Sequence, residues 1–239
     1  MTVTKVAIVG LGKIARDEHV PAISASDVFS LSAIVSRNAT FDGVPSFQTL
    51  EDMLSEHPDM NAVALCVPPQ VRFDIAREAL DAGLDVLLEK PPGATLAEVE
   101  VLRDLAQARG RVLFATWHSR FAAGVAPAKA WLADQMIKGV RITWHEDVRH
   151  WHPGQQWIWE AGGLGVFDPG INALSILTEI LPFPVRLVSA DLEFPSNRQT
   201  PIAAELGLSG PGDVGITASF DWGHRSGGSR LKPIWAPWF

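Results

Sequence analysis

Cysteine and tyrosine are scarce in this chain of 239 residues, which has one cysteine and no tyrosine. Cys66 alone cannot form a disulfide framework, and its apolar surroundings predict a buried thiol in a reducing compartment. The sequence also lacks an apolar segment long enough to cross a bilayer. Because the first strand is predicted almost at Met1, we expect no signal peptide. These absences predict a cytoplasmic protein that does not bind membranes.

Positive charge is in short supply as well. There are 20 Lys and Arg against 27 Asp and Glu, for a net charge of -7, and the basic residues form no stripe. This excludes a nucleic-acid partner. Histidines and carboxylates show no metal-ligand spacing, so we predict no metal. With 47% hydrophobic and 20% charged residues, the chain fits one large domain or two modest ones.

The first half of the chain alternates apolar strands with helices. Strands are predicted over residues 5–9, 30–35, 62–67, 85–88 and 112–115, and helices from about Lys13 and over 50–56, 71–82 and 96–109. Thr49 and Thr95 are predicted N-caps. This alternation indicates an α/β fold, with a doubly wound parallel sheet. We therefore predict a dinucleotide-binding Rossmann domain over residues 1–122.

The second half has strands without intervening helices. Helices are predicted over 126–137 and 169–181, and strands over 140–148, 185–193, 203–208 and 215–222. Over 140–148, Val, Ile and Trp alternate with Arg, Thr and His, which is typical of a half-buried antiparallel strand. We predict an α+β substrate-binding domain over 123–222 with an open, mainly antiparallel sheet. Residues 223–239 follow neither period and are predicted to be a disordered, atypical tail.

Gly10-x-Gly12-x-x-Ala15 follows the first strand and is a candidate phosphate-binding turn. The first glycine permits the tight turn, the second lets the pyrophosphate approach, and Ala15 allows close helix packing. The amides that follow, at Lys13 and Ile14, would then face the phosphates. Glycine turns also occur without a ligand, but the position after the first strand favours dinucleotide binding.

The second strand ends at Ser36 and Arg37, where an acidic residue would favour NAD. Because Arg37 offers a bidentate fork to a 2'-phosphate, we predict NADP as the favoured cofactor. Use of both NAD and NADP, or a solvated loop arginine without a ligand, are the alternatives. Cys66, Pro68, Glu89 and His118, all at the ends of later strands, complete the predicted cofactor contacts.

Lys90 lies in Glu89-Lys90-Pro91-Pro92, directly after a predicted buried strand. Ligands of open α/β sheets bind outside the carboxyl ends of the strands, where Lys90 can act as an acid/base or electrostatic group. The alternative is an ordinary surface lysine. The two prolines favour a fixed chain direction, and one of their peptide bonds is a candidate for the cis form.

Asp168 and Asn172 form a second candidate group. Asp168 before Pro169 is explained structurally as an N-cap with proline at N1. However, Asp168 and Asn172 are four residues apart and share one helix face, and the preceding glycines at 162–165 allow a ligand to approach the backbone. Spacing alone leaves both interpretations open.

Three tryptophans, Trp151, Trp157 and Trp159, cluster in the loop over residues 149–167. Aromatic faces beside carboxylates and histidines suit a sugar, which offers both C–H faces and hydroxyls. The alternative is that Trp157 and Trp159 pack against the sheet. The candidate sugar-binding residues here are His118, Glu146, Trp151 and His152.

Together these motifs resemble the glucose-fructose oxidoreductase/inositol dehydrogenase/rhizopine catabolism family, from about residue 5 to 222. The stretch 151–159 is similar to that of bacterial pyranose 1-dehydrogenases acting on L-arabinose or D-galactose. The resemblance implies oxidation of an aldose at C1 to the lactone, with hydride transfer to the nicotinamide of NADP or NAD. Family members often pair through the substrate-domain sheet, which implies a homo-oligomer.

The resemblance also implies residue roles. Lys90 would lie by the reacting hydroxyl, with Asp168 and Asn172 completing the catalytic group. The sugar pocket would be lined by His118, Glu146, Trp151 and His152. Ser36 and Arg37 would take the cofactor phosphate. Many members have histidine where this chain has Asn172, and asparagine cannot take a proton. The base must then be Asp168 or Lys90, and we favour Asp168 as the proton acceptor, with Lys90 polarising the hydroxyl.

The tail is the second departure from the family, whose members continue with further strands after the position of Trp222. A truncation or a change of reading frame is the expected explanation, and an exposed sheet edge is the expected cost. The alternatives to an active enzyme are therefore a non-catalytic dinucleotide- or sugar-sensing regulator of the same fold and an inactive truncated product.

Overall fold

A computed structural model describes residues 3–223, apart from the side chain of Trp151. Within it the chain forms two units, one ending at Thr116 and the other beginning at Trp117. The division lies six residues before the predicted boundary at 122, so His118 belongs to the second unit. The predicted tail lies outside the described residues from 224 onward.

The first unit is an α/β sheet of six parallel strands in the order β3-β2-β1-β4-β5-β6. Its elements are β1 (Thr4–Val9), α1 (Val20–Ser24), β2 (Phe29–Val35), β3 (Ser46–Phe47), α2 (Leu50–Glu56), β4 (Ala62–Leu65), α3 (Pro69–Asp81), β5 (Asp85–Glu89), α4 (Leu96–Arg109) and β6 (Leu113–Thr116). The order reverses between β1 and β4, which is where such sheets bind ligands. The predicted parallel fold is therefore confirmed.

Both faces of this sheet are buried, as expected for parallel strands. Val63 and Leu65 of β4 pack in one core with residues of α2, α3 and α4. Their neighbour Ala64 packs in a second core with Ala15 and Val20 on the opposite face. Because side chains alternate along a strand, the apolar run of each strand supplies both cores.

Two predicted helix caps are confirmed. The Thr49 hydroxyl accepts a hydrogen bond from the amide of Asp52 at 3.1 Å. At the start of α4, Thr95 and Glu98 form a reciprocal capping box. Both helices begin and end at the predicted residues, and their first turns are fixed by these local hydrogen bonds.

The helix predicted from Lys13 is not a regular α-helix. Residues Ala15–His19 form a π-helical segment, and the amide of Val20 donates to the carbonyl of Ala15 before the chain enters α1. Pro21 follows, and its ring nitrogen has no hydrogen to continue the usual bonding pattern. Such widened turns are frequent at functional sites.

The second unit contains a four-stranded sheet in the order β7-β10-β9-β8. Its elements are α5 (Val125–Leu132), β7 (Gly139–His145), α6 (Val148–Trp151), α7 (Phe167–Ile180), β8 (Arg186–Glu193), β9 (Ala203–Ser209) and β10 (Gly215–Asp221). The α5 helix ends five residues before its predicted end, since Ile137 packs into the core beside Leu177 instead.

The sheet is mainly antiparallel, as predicted, but the prediction for β7 is wrong in one respect. β7 pairs with β10 in a parallel arrangement, from Gly139 beside Gly215 to His145 beside Asp221. Its predicted alternation is nevertheless observed, because its Val, Ile and Trp residues are half-buried and its Arg, Thr and His residues are exposed. The alternation specifies which face a side chain joins, and both strand directions are compatible with it.

Helix α7 covers the inner face of this sheet. Gly170 lies so close to Phe220 that an added Cβ would sit 3.3 Å from its ring. The core beneath contains Ile158, Val166 and Trp222, all fully buried. Within residues 3–223, no helix is both long and apolar enough to span a bilayer.

Candidate active site

The first unit presents a glycine turn at the carboxyl edge of its sheet. The amide of Gly10 donates to the carbonyl of Val35 at 2.9 Å, and the amide of Cys66 donates to that of Val9 at 2.8 Å. Gly10 has φ +91°, and a Cβ there would lie 2.7 Å from Val67 Cγ1. Glycine at this position is therefore required both by the turn and by the packing of two strand ends.

Gly12 is different, because a Cβ there would meet no described atom within 4 Å. The space beyond its backbone is open, which fits the close approach of a pyrophosphate. Ile14 is exposed at this edge, and the ammonium of Lys13 pairs with the carboxylate of Asp17. The predicted phosphate-binding residues therefore lie around an accessible turn.

A cleft of about 270 Å³ lies beside the end of β2. It is lined by Ser36, Arg37, Asn38, Ala39, Thr40, Ser46, Phe47 and Gln48. Arg37 is exposed, Ser36 is half-buried, and the lining contains one cation and no carboxylate. This composition fits an anionic group such as a 2'-phosphate.

Lys90 follows β5 directly and is half-buried, and its bond to Pro91 is cis. The backbone on either side of Lys90 is held by one buried side chain. The guanidinium of Arg72 donates to the carbonyls of Glu89 and Pro91, and to that of Val67 at 2.5 Å. Arg72 thus ties the Lys90 segment to the segment that follows β4.

Sequence reasoning missed Arg72, although a signal was present. Arg72 lies on the same face of α3 as Ala76, Ala79 and Leu80, which are all buried. Helical spacing places residues four, seven and eight apart on one face. A cation on an otherwise apolar face is itself an indication of buried hydrogen-bond acceptors.

Sequence reasoning also missed a contact between His19 and Glu89. Nε2 of His19, at the end of the π-helical segment, lies 2.7 Å from Oε1 of Glu89. Burial raises the pKa of Glu89, but hydrogen bonds from His19 and Thr116 and the charge of Lys90 outweigh it, so the pKa lies below its usual value. Glu89 is therefore ionised beside Lys90 at neutral pH.

In the second unit, the predicted N-cap role of Asp168 is wrong. Helix α7 begins at Phe167 with Val166 as its N-cap, so Asp168 lies inside the first turn. The side chain of Asp168 is buried and does not occupy the N-cap position. A carboxylate in the first turn still stabilises the positive end of the helix, so Asp168 has a structural contribution beside its proposed chemical one.

The imidazole of His152 contacts the carboxylate of Asp168. Its Nε2 lies 3.0 Å from Oδ2 of Asp168, and its Nδ1 lies 3.1 Å from Oε1 of Gln155. The rings of Trp157 and Trp222 pack edge-on against the imidazole, at centroid distances of 6.5 and 5.2 Å. A buried carboxylate and a histidine held between aromatic rings can exchange a proton.

Gly163 and Gly165, before α7, are required by the packing of the chain itself, and their role in admitting a ligand stays a prediction. A Cβ on Gly163 would lie 2.5 Å from the carbonyl of Trp157, and one on Gly165 would lie 2.3 Å from that of Pro201. Trp157 and Trp159 likewise pack against the core cluster, as the structural alternative predicted.

The remaining candidate residues are distributed around the second unit. Glu146 follows β7 and accepts a hydrogen bond from the indole of Trp144, and Asn172 is half-buried on α7. His118 is exposed at the start of the short helical turn His118–Phe121. Trp151 ends α6, and its side chain lies outside the described part. Across the described residues, no three His, Cys, Asp or Glu side chains group to hold a metal ion.

Comparison with known proteins gives consistent results. Residues 4–116 match the family model GFO_IDH_MocA, described as an oxidoreductase family with an NAD-binding Rossmann fold. The galactose 1-dehydrogenase of Pseudomonas fluorescens is 47% identical over 222 residues, which are 92% of this chain and 71% of that protein. This match extends well beyond the dinucleotide-binding unit.

Solved structures agree. The D-galactose-1-dehydrogenase from Rhizobium etli superposes with a TM-score of 0.88 and 55% identity, covering 93% of this chain and 72% of that one. A 3-ketoreductase from Actinomadura kijaniata superposes with a TM-score of 0.81 at 22% identity, covering 93% and 71%, and shows the fold alone. The chain therefore belongs to the GFO/IDH/MocA family of oxidoreductases, which carry an NAD-binding Rossmann fold.

Proposed function

We propose that this protein is an NAD(P)-dependent aldose 1-dehydrogenase that oxidises D-galactose, L-arabinose or a similar sugar to its lactone. The observation that carries the proposal is the buried Asp168, whose Oδ2 lies 3.0 Å from Nε2 of His152, in a chain 47% identical to a galactose 1-dehydrogenase. Asp168 supplies the base that such an oxidation needs. The proposed location is the cytoplasm, and the proposed assembly is a homo-oligomer through the second-unit sheet, where all eight residues of β8 are exposed.

Each side chain has a distinct role in the proposed reaction. Lys90 polarises the C1 hydroxyl, and Asp168 accepts its proton as the C1 carbonyl forms. Asn172 orients the sugar through its amide, which can donate and accept hydrogen bonds but cannot take a proton. His118, Glu146, Trp151 and His152 bind the remaining hydroxyls and C–H faces. The nicotinamide supplies the acceptor for the hydride that leaves C1.

The residues of the first unit fit a dinucleotide. The open space at Gly12 would admit the pyrophosphate, with the backbone of Gly10, Lys13 and Ile14 beside it. Cys66, Pro68 and Glu89, which follow β4 or end β5, are the proposed contacts of the nicotinamide half. The cation-lined cleft at Ser36 and Arg37 favours NADP over NAD.

An Arg37→Ala variant tests the cofactor preference. We expect KM for NADP to rise about tenfold, the loss of one charge-assisted contact, while KM for NAD stays within about twofold. Initial rates at saturating sugar measure both constants. Arg16→Ala, an exposed arginine hydrogen-bonded to the carbonyl of Thr40, is the control. Equal changes for the two cofactors in Arg37→Ala would contradict a 2'-phosphate contact.

The activity itself is tested by the absorbance of reduced nicotinamide. The chain is incubated with NADP or NAD and with D-galactose, L-arabinose or D-glucose. We expect reduction with the first two sugars, since they share ring stereochemistry, and lactone as the product. Cofactor binding without reduction of either cofactor by any of these sugars would favour a sensing regulator instead.

A further inference from the structure

We propose that His152 is the proton relay of this site: it takes from Asp168 the proton that leaves the sugar hydroxyl and passes it to solvent. This inference rests on the proposed function and deepens it. The family resemblance implies only that His152 lines the sugar pocket. The hydrogen bonds around it indicate more.

Trp157 fixes the orientation of the Gln155 amide. Its Oε1 lies 3.0 Å from the indole nitrogen of Trp157. An indole N–H can only donate, so the Gln155 atom that faces it must be the carbonyl oxygen. The aromatic neighbour therefore fixes an amide orientation that would otherwise be an assumption.

Gln155 in turn determines the tautomer of His152. The same oxygen of Gln155 lies 3.1 Å from Nδ1 of His152. Since this oxygen only accepts, Nδ1 must carry a hydrogen. Nε2 is then the nitrogen that can gain and lose a proton, and it lies 3.0 Å from Oδ2 of Asp168.

The Nε2 atom of His152 and Oδ2 of Asp168, 3.0 Å apart, are close enough to share one proton, held by either atom. Without that proton, Asp168 is the anion and His152 is neutral, which is the state that can act as a base. The pair therefore alternates between no shared proton and one shared proton.

The proposed step is balanced. The O–H bond of the C1 hydroxyl breaks and its proton goes to Asp168, while the C1 hydrogen leaves with its electron pair as hydride to NAD(P). C1 becomes the lactone carbonyl. The proton moves from Oδ2 to Nε2 and then leaves from Nε2 to water, since 19% of the His152 side chain is exposed to solvent; the ordinary pKa of an imidazolium lies close to neutrality. His152 thereby carries the proton that Asn172 cannot accept.

Substitution with glutamine separates relay from positioning. In His152→Gln the amide nitrogen can still donate to Asp168 but cannot carry a proton onward. We expect kcat for galactose with NADP to fall about 100-fold, as is typical for loss of acid/base catalysis, with KM within about threefold. His150→Gln, an exposed histidine of α6, is the matched control and is expected to leave both constants unchanged.

A second variant guards against a folding defect. In His152→Ala, added imidazole should restore kcat at least about tenfold, since a free base can take the missing place. Thermal melting checks that both variants are folded. A raised KM with unchanged kcat in His152→Gln, or no rescue of a folded His152→Ala, would overturn the relay and leave His152 as a pocket wall.

A measurement without sugar separates this inference from the proposed function. Nitrogen-15 NMR of the histidine side chains, with His152 assigned by its loss in His152→Gln, reports which ring nitrogen holds the hydrogen. We expect Nδ1 to be protonated throughout, with Asp168→Asn changing the signal of Nε2 alone. A neutral His152 protonated at Nε2 would overturn the relay even in an active enzyme, whereas an inactive enzyme with the expected tautomer would contradict only the proposed function.

Discussion

A Lys90→Met variant is expected to lose turnover by at least about 1000-fold while its affinity for NADP changes less than about threefold. Methionine preserves the length and much of the apolar stem of lysine but cannot polarise a hydroxyl. The guanidinium of Arg72 donates hydrogen bonds to the backbone carbonyls on either side of Lys90. The substitution should therefore leave the backbone of this segment unchanged. Activity and cofactor binding are therefore expected to separate.

The matched control is Lys138→Met, which removes an exposed lysine of the loop before β7 and should leave turnover unchanged. Reduced-nicotinamide absorbance measures turnover, and quenching of tryptophan fluorescence measures cofactor binding. Retained turnover in Lys90→Met would remove Lys90 from the mechanism. Loss of cofactor binding together with turnover would show that its main contribution is to the dinucleotide site.

An Arg72→Met variant is expected to destabilise the first unit strongly. Three backbone carbonyls would lose a charged donor inside the protein, and each buried polar group left unsatisfied costs about 1–3 kcal/mol. We therefore expect the free energy of unfolding to fall by at least about 3 kcal/mol, and Tm by about 10 °C. Differential scanning calorimetry measures both.

The same helix offers a control for Arg72. Arg77 of α3 is exposed, and its ion pair with Asp74 is long, at 3.8 Å, so Arg77→Met should change Tm by less than about 2 °C. Arg72→Lys retains the charge but cannot reach three acceptors with one rigid fork. If Arg72→Lys restores Tm but not kcat, Arg72 positions Lys90. If Arg72→Lys restores both, Arg72 contributes only a buried positive charge that stabilises the fold.

The sequence predicted the first unit well because its signals are local. The hydrogen bonds of the Thr95 cap are made within four residues, and the glycine turn at Gly10 is set by its own φ angle. The second unit depends on contacts remote in sequence. The direction of β7 is set by its pairing with β10, more than 70 residues later, and no period within β7 records it.

The sequence predicted residues of the candidate site but not which side chains contact them. Asp168 was identified, whereas its partner His152 was assigned only to the pocket wall, since the two are 16 residues apart and meet through the folding of a loop. Arg72 and His19 were missed for the same reason. Each lies on a helical segment. His19 contacts Glu89, 70 residues later, and Arg72 contacts the backbone of Glu89 and Pro91, 17 and 19 residues later.

Cys66, at the end of β4, has a consequence for how the enzyme withstands oxidants. Burial, and then the negative charge of Glu89, raise the pKa of its thiol to about 12, despite the opposing charge of Arg72. At pH 7 only about one thiol in a hundred thousand is then ionised, and the thiolate is the form that peroxides and alkylating agents attack. The burial and charge around Cys66 therefore protect its thiol from oxidants without a reducing agent.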